Sequence, residues 1–191
     1  MGLSHFHGKH LHEVNWHRKE SFRRLAQNGV FIPFADSFEH NGSAYLIVGG
    51  PDSGKTSVTG RFVGYNNHSS QRLSEDAGLN AFDDRMYAYQ SGRQVTVDAE
   101  WRRAERFPIE GIFHLSYSLG EVKEGDLELA LARMFYHSMG GKTEYEVVRE
   151  VKPWMVNMTK HAYENVPVFL LPRGESPNEC YRSLKKAIDT L

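Results

Sequence analysis

The feature that most constrains the fold of this chain is a glycine-rich segment that directly follows a short apolar run. The segment reads Gly49-x-x-x-x-Gly54-Lys55-Thr56 and fits the Walker A pattern at each fixed position. The apolar run at 44–48 predicts a strand that leads into it. A strand, a glycine-rich turn and a helix N-terminus in this order bring backbone N–H groups together, which predicts a phosphate-binding loop.

The residue types of this segment suit a nucleoside triphosphate with Mg²⁺. Lys55 would reach the β- and γ-phosphate oxygens, and the Thr56 hydroxyl would ligate Mg²⁺. The alternative is a glycine-rich turn with an incidental Lys-Thr pair. Gly60 and Gly64 would each weaken the following helix by roughly 1 kcal/mol, which predicts a short helix. The candidate nucleotide-binding residues are Gly49, Gly50, Pro51, Asp52, Ser53, Gly54, Lys55, Thr56 and Ser57.

A nucleotide site also needs an acidic group near the metal, and the adjacent pair Asp83-Asp84 is the candidate. The pair separates two strand-like runs, and two carboxylates there could divide metal binding and acceptance of a hydroxyl proton. Which of the two takes which role is left open. A solvated turn is the alternative interpretation. The candidate catalytic residues are therefore Lys55, Asp83 and Asp84, and the candidate metal ligands are Thr56, Asp83 and Asp84.

The rest of the chain alternates strand-like and helix-like patterns, which predicts an α/β fold. Asn41-Gly42 supplies the two positive-φ positions of a tight hairpin, and 65–78 is polar and predicts a loop. Near the C-terminus, Ser176-x-x-Glu179 with Pro177 predicts a capped helix. We expect a single P-loop domain with a mixed central sheet that includes hairpins and is flanked by helices. Further expected elements are helices at 20–27, 126–137 and 144–164, a hairpin of 86–90 with 94–98, and strands at 30–34, 109–118 and 168–171.

Length and composition limit the classes of protein to which the chain can belong. Its 191 residues suit one domain, with a histidine-rich leader and short helix over 1–30 and a nucleotide-binding domain over 31–191. The balance of 23 Lys+Arg against 24 Asp+Glu argues against a nucleic-acid-binding domain. No apolar stretch is long enough to span a membrane. A single cysteine, Cys180, favours a reducing, cytoplasmic setting and is interpreted as a packing residue or inert thiol.

The order of these features resembles the HPr kinase/phosphorylase family. The resemblance rests on FADSFEHNG at 34–42, the Walker A segment, LNAFDDRMY at 79–87, PIEGIFHL at 108–115 and VPVFLL at 166–171. It implies an ATP- and Mg²⁺-dependent kinase that phosphorylates a hydroxyl of a protein serine or a small molecule. Lys55 and Thr56 would take the phosphate and metal roles, and Asp83 and Asp84 the base and metal roles. Phe34 stands where the family often has a histidine, so a divergent stand-alone member is expected.

Several features are left open by the residues. A nucleotide-binding regulatory or interaction module with little turnover is the alternative function. The phosphoryl acceptor and the preference for ATP or another nucleoside triphosphate are not indicated. The acceptor would be recognised by loops such as 65–78 or by a further copy of the chain in a homo-oligomer. Five histidines within the first 17 residues could bind a transition metal or belong to a mobile terminus.

Overall fold

A computed structural model describes residues 30–31, 35–49, 53–74, 78–82, 85–89, 105–116, 153, 157–158, 160–172 and 176–191. Its strands are β1 (Val30–Phe31), β2 (Ala35–His40), β3 (Ser43–Val48), β4 (Ser70–Ser74), β5 (Gly78–Phe82), β6 (Arg85–Tyr89), β7 (Arg106–Ser116) and β8 (Val168–Pro172). Its helices with defined bounds are α1 (Lys55–Tyr65) and α2 (Pro177–Ile188), and residues 160–165 are also helical.

The strands form one mixed sheet in the order β1-β5-β6-β7-β3-β2-β4, with β8 paired to β7. Strand β7 is parallel to both β3 and β8, whereas β2 is antiparallel to both β3 and β4. On the other side, β6, β5 and β1 continue from β7 as antiparallel strands. The expectation of a mixed α/β sheet with hairpins is confirmed.

Strand β3 lies between β7 and β2, and its side chains alternate between two cores. Ala44, Leu46 and Val48 belong to the first core, together with Ala162 from the helical residues and Val166, which follows them. The intervening Tyr45 and Ile47 belong to the second core, which also contains residues of α1 and α2. Because successive side chains of a strand point to opposite faces, helices cover both faces of this part of the sheet. The near-continuous apolar run of β3 follows from burial on both faces.

The hairpin and the C-terminal helix form for the local reasons that the sequence indicates. Asn41 has φ 52° and Gly42 has φ 88°, as the expected tight turn between β2 and β3 requires. At the start of α2, Ser176 accepts a hydrogen bond from the N–H of Glu179, whose carboxylate in turn accepts from the N–H of Ser176. Cys180 is buried in the second core, so its packing role is confirmed.

Other expectations need correction. Residues 65–78 are not one loop, because 70–74 form β4 and residue 78 begins β5. Strand β6 pairs with β5 and β7, and residues 94–98, its expected partner, lie outside the described part of the chain. Helix α1 is 11 residues long and contains both glycines that were expected to shorten it. The expected helices at 20–27 and 126–137, and most of the one at 144–164, lie outside the described residues.

Within the described residues, no helix is both long enough and apolar enough to cross a membrane.

Candidate functional site

Gly49 directly follows the carboxyl end of β3, and α1 begins at Lys55. Gly49 is buried, and a Cβ atom there would lie 2.6 Å from Oγ of Ser53 and 3.3 Å from Cβ of Leu115. Glycine is therefore required at this position by close approach, because no side chain fits without displacing its neighbours. Oγ of Ser53 is buried and has no hydrogen-bond partner in the described structure. A buried hydroxyl of this kind can donate to a phosphate oxygen.

The loop turns into α1 through Gly54, whose backbone is in the left-handed region with φ 94° and ψ 12°. No side chain caps the N-terminus of α1, and its first turn contains no acidic residue. The first backbone N–H groups of the helix are thus left without a side-chain acceptor at the positive end of the helix dipole. This is the local geometry that binds an anion at a helix N-terminus.

Lys55 places a second source of positive charge at this helix end. Its side chain is 7% exposed, and Nζ donates a hydrogen bond of 3.0 Å to the backbone carbonyl of Gly49. The lysine side chain therefore reaches back from the start of α1 to the residue that follows β3. Burial of an ammonium group is costly unless it is paired, so this position needs acceptors around the nitrogen.

An acidic residue that the sequence did not single out lies beside the same helix end. Asp36 of β2 is 2% exposed, and its Oδ2 accepts a hydrogen bond of 2.6 Å from Arg72 of β4. The Asp36 carboxylate is also hydrogen-bonded to the side chain of Thr56 and interacts favourably with the charge of Lys55. Burial has the largest effect and raises the pKa of Asp36 above its usual value, although Arg72, Thr56 and Lys55 act to lower it.

The antiparallel pairing of β2 and β3 explains why Asp36 reaches the loop. Ala35 pairs with Val48 and Asp36 with Ile47, so the first residues of β2 lie next to the last residues of β3. Asp36 shares a face with Phe38, which packs against Phe62 of α1. A shift of register between Ser37 and Phe38 opposite β4 then places Arg72 diagonally across from Asp36. The feature of the sequence that could have identified Asp36 is its charge at an inward-facing position of β2, between buried residues.

The structure describes most, but not all, of the candidate residues. Gly49, Ser53, Gly54, Lys55, Thr56 and Ser57 lie together at the junction of β3 and α1, with Thr56 and Ser57 exposed. Gly50, Pro51, Asp52, Asp83 and Asp84 lie outside the described residues. The strands that flank the Asp83-Asp84 pair are β5 and β6, and both lie on the far side of β7 from β3.

The oxygen donors at this junction suit a hard divalent cation. Thr56 offers an exposed hydroxyl, and Asp36 offers carboxylate oxygens next to it. Mg²⁺ prefers such oxygen ligands and keeps several waters, so it needs few groups from the protein. Among the described residues, no group of three or more His, Cys, Asp or Glu side chains is placed to hold a metal. The oxygen donors of Thr56 and Asp36 fit Mg²⁺ bound together with a phosphate.

Comparison with known proteins gives a structural similarity but no match in sequence. No family profile and no curated protein matches the chain. Among solved structures, the chain is similar to the Hpr(Ser) kinase/phosphatase from Coxiella burnetii, with 12% sequence identity and a TM-score of 0.36. The match covers 50% of this chain and 70% of that one.

Proposed function

We propose that the chain binds a nucleoside triphosphate, ATP being the first candidate, through the 49–56 loop and the N-terminus of α1. One observation carries the proposal. The described Walker A residues lie at the junction of a buried strand and an uncapped helix, and Lys55 donates a hydrogen bond to the carbonyl of Gly49. The left-handed Gly54 and the buried Ser53 hydroxyl support it. These features together supply the N–H groups and positive charge that phosphate binding needs.

We further propose that the bound nucleotide is used for phosphoryl transfer to a hydroxyl, as the family resemblance implies. The γ-phosphorus would form a bond to the acceptor oxygen while its bond to the bridging oxygen of the diphosphate breaks. The acceptor loses its proton to a base, for which Asp83 and Asp84 remain the candidates. Lys55 would bind and orient the β- and γ-phosphates, and Thr56 would help to hold Mg²⁺, which supplies charge neutralisation for the transfer. A regulatory module with little turnover is the alternative use of the same site.

The binding step is tested by replacing Lys55 with methionine, which keeps the aliphatic stem and removes the charge. Hydrogen bonds to charged groups contribute about 1.5–3 kcal/mol, so ATP affinity should fall about 10- to 100-fold by isothermal titration calorimetry. Lys186→Met is the matched control, because Lys186 is an exposed lysine of α2. Equal ATP affinity of Lys55→Met and the control, with both variants folded by circular dichroism, would refute the proposed site.

The transfer step is tested separately, by product analysis after incubation with γ-labelled ATP and pools of candidate hydroxyl acceptors. Label on an acceptor that disappears in Lys55→Met supports a kinase. ATP binding that is normal, with no label transferred and no phosphate released, favours the regulatory module. Asp83→Asn should abolish transfer and preserve binding if the pair includes the base, and it should change neither in a regulatory module.

A further inference from the structure

We propose that Asp36, and not a residue later in the chain, is the acidic partner of Thr56 that secures Mg²⁺ at this site. The inference rests on the proposed nucleotide-binding function and adds a residue to it. It starts from a juxtaposition that the Walker A pattern does not contain: a buried carboxylate from β2 is hydrogen-bonded to the side chain of Thr56. In P-loop nucleotide-binding proteins, a threonine at this position and an aspartate hold the metal together.

The hydrogen-bonding chemistry of the two groups gives Asp36 a defined task. An ionised carboxylate only accepts hydrogen bonds, so the hydroxyl of Thr56 is the donor. With its proton directed to Asp36, the hydroxyl oxygen keeps its lone pairs for a cation on the exposed side of Thr56. Asp36 is thus a positioning residue that orients a metal ligand, and its negative charge also attracts the hydrated cation.

Arg72 pairs with the buried Asp36 but does not use all of its hydrogen-bond acceptor sites. The guanidinium binds Oδ2 at 2.6 Å, and an ionised carboxylate has about four lone-pair sites on its two oxygens. The ion pair therefore leaves acceptor sites for Thr56 and for a metal-bound water. Arg72 is 30% exposed at its side chain whereas Asp36 is 2% exposed, so the pair stands between solvent and the buried end of β2.

A purely structural role for Asp36 is the competing explanation, because breaking a buried ion pair leaves an uncompensated charge. Arg72→Gln separates the two roles, since it breaks the same ion pair but leaves the Asp36 carboxylate beside Thr56. Asp36→Asn breaks the pair and also removes the negative charge. If Asp36→Asn fails to fold, the double variant Asp36→Asn/Arg72→Gln leaves neither charge alone and is compared with Arg72→Gln. If Arg72→Gln fails to fold, the double variant is compared with the wild-type chain.

The measurement is the affinity for ATP by titration calorimetry at increasing Mg²⁺, with EDTA as the metal-free arm. Loss of a group that orients a metal ligand typically costs 10- to 100-fold in metal affinity. The Mg²⁺ concentration that gives half of the increase in ATP affinity should therefore be about 10- to 100-fold higher for Asp36→Asn than for the wild-type chain. Arg72→Gln should raise the Mg²⁺ requirement by less than Asp36→Asn does, because the carboxyl group of Asp36 remains beside Thr56. Metal-free ATP binding should be retained in both, because Lys55 and the helix N-terminus remain.

Three results would overturn the inference in distinguishable ways. If the wild-type chain binds ATP and Asp36→Asn has the same Mg²⁺ requirement, Asp36 is not part of the metal site. The proposed function would not be affected by that result. A wild-type chain that binds ATP neither with Mg²⁺ nor without it would remove the proposed function and the inference with it. Equal loss of the Mg²⁺ effect in Asp36→Asn and Arg72→Gln would assign the effect to the ion pair and also count against the proposal.

Discussion

The left-handed backbone of Gly54 gives a prediction whose magnitude follows from geometry alone. A Cβ atom added at Gly54 meets nothing within 4 Å, and the same holds at Gly60 in the interior of α1. The two substitutions to alanine therefore differ in backbone conformation and not in steric contact. At Gly54, with φ 94°, an L-residue pays about 1–2 kcal/mol for the left-handed region. At Gly60 alanine favours the helix by about 0.5–1 kcal/mol.

Both variants replace glycine by alanine, so the stabilisation that comes from the lower entropy of the unfolded chain is the same in both. It cancels when the two variants are compared, which leaves the cost of the left-handed backbone at Gly54. Gly54→Ala should consequently be less stable than Gly60→Ala by about 1–2 kcal/mol in urea unfolding followed by circular dichroism, with equal m-values. In a domain of this size the melting temperatures should differ by about 2–8 °C. A Gly54→Ala variant as stable as Gly60→Ala would refute the left-handed assignment and, with it, the loop geometry at the start of α1.

The remaining predictions concern the framework around the site. Phe62 is 1% exposed and its ring centroid lies 4.7 Å from that of Phe38, so Phe62→Ala should lower the free energy of unfolding by about 3–5 kcal/mol in a denaturant titration. Ser176→Ala removes the side-chain cap of α2 and should cost about 0.5–2 kcal/mol by the same titration, and no loss would contradict the capping box. Asp189→Asn should change the melting temperature little, because the Lys185–Asp189 ion pair is exposed and contributes at most about 0.5 kcal/mol.

Local signals in the sequence predicted the elements whose conformation is decided locally. The Asn41-Gly42 turn, the capping box that begins with Ser176 and the strand before Gly49 each depend on residues within a few positions of one another. The same holds for the glycine requirement at Gly54, where the backbone angle and not a distant contact selects the residue. Such features can be predicted from the sequence because the residues that determine them are neighbours along the chain.

Strand β4 shows why the rest could not be predicted in this way. Its residues Ser70, Gln71 and Arg72 are polar, and they form a strand because β2, some thirty positions earlier, offers them hydrogen-bonding partners. A polar strand at the border of the described sheet gives no alternating apolar pattern to read. The buried Leu73, which packs in the first core, is a single residue and too little to reveal the strand.

The position of Asp36 follows from the same non-local pairing. A search for the acidic partner of a phosphate loop normally proceeds downstream, along parallel strands whose carboxyl ends meet at one edge of the sheet. Here an antiparallel strand lies next to β3, so it is the amino end of β2 that reaches this edge. An acidic residue that lies 13 positions before Gly49 in sequence can therefore sit beside Thr56 in space. When an antiparallel strand lies next to the strand before a phosphate loop, a metal partner can therefore come from earlier in the sequence. The residues to consider are the inward-facing charged residues of the first strand of the hairpin.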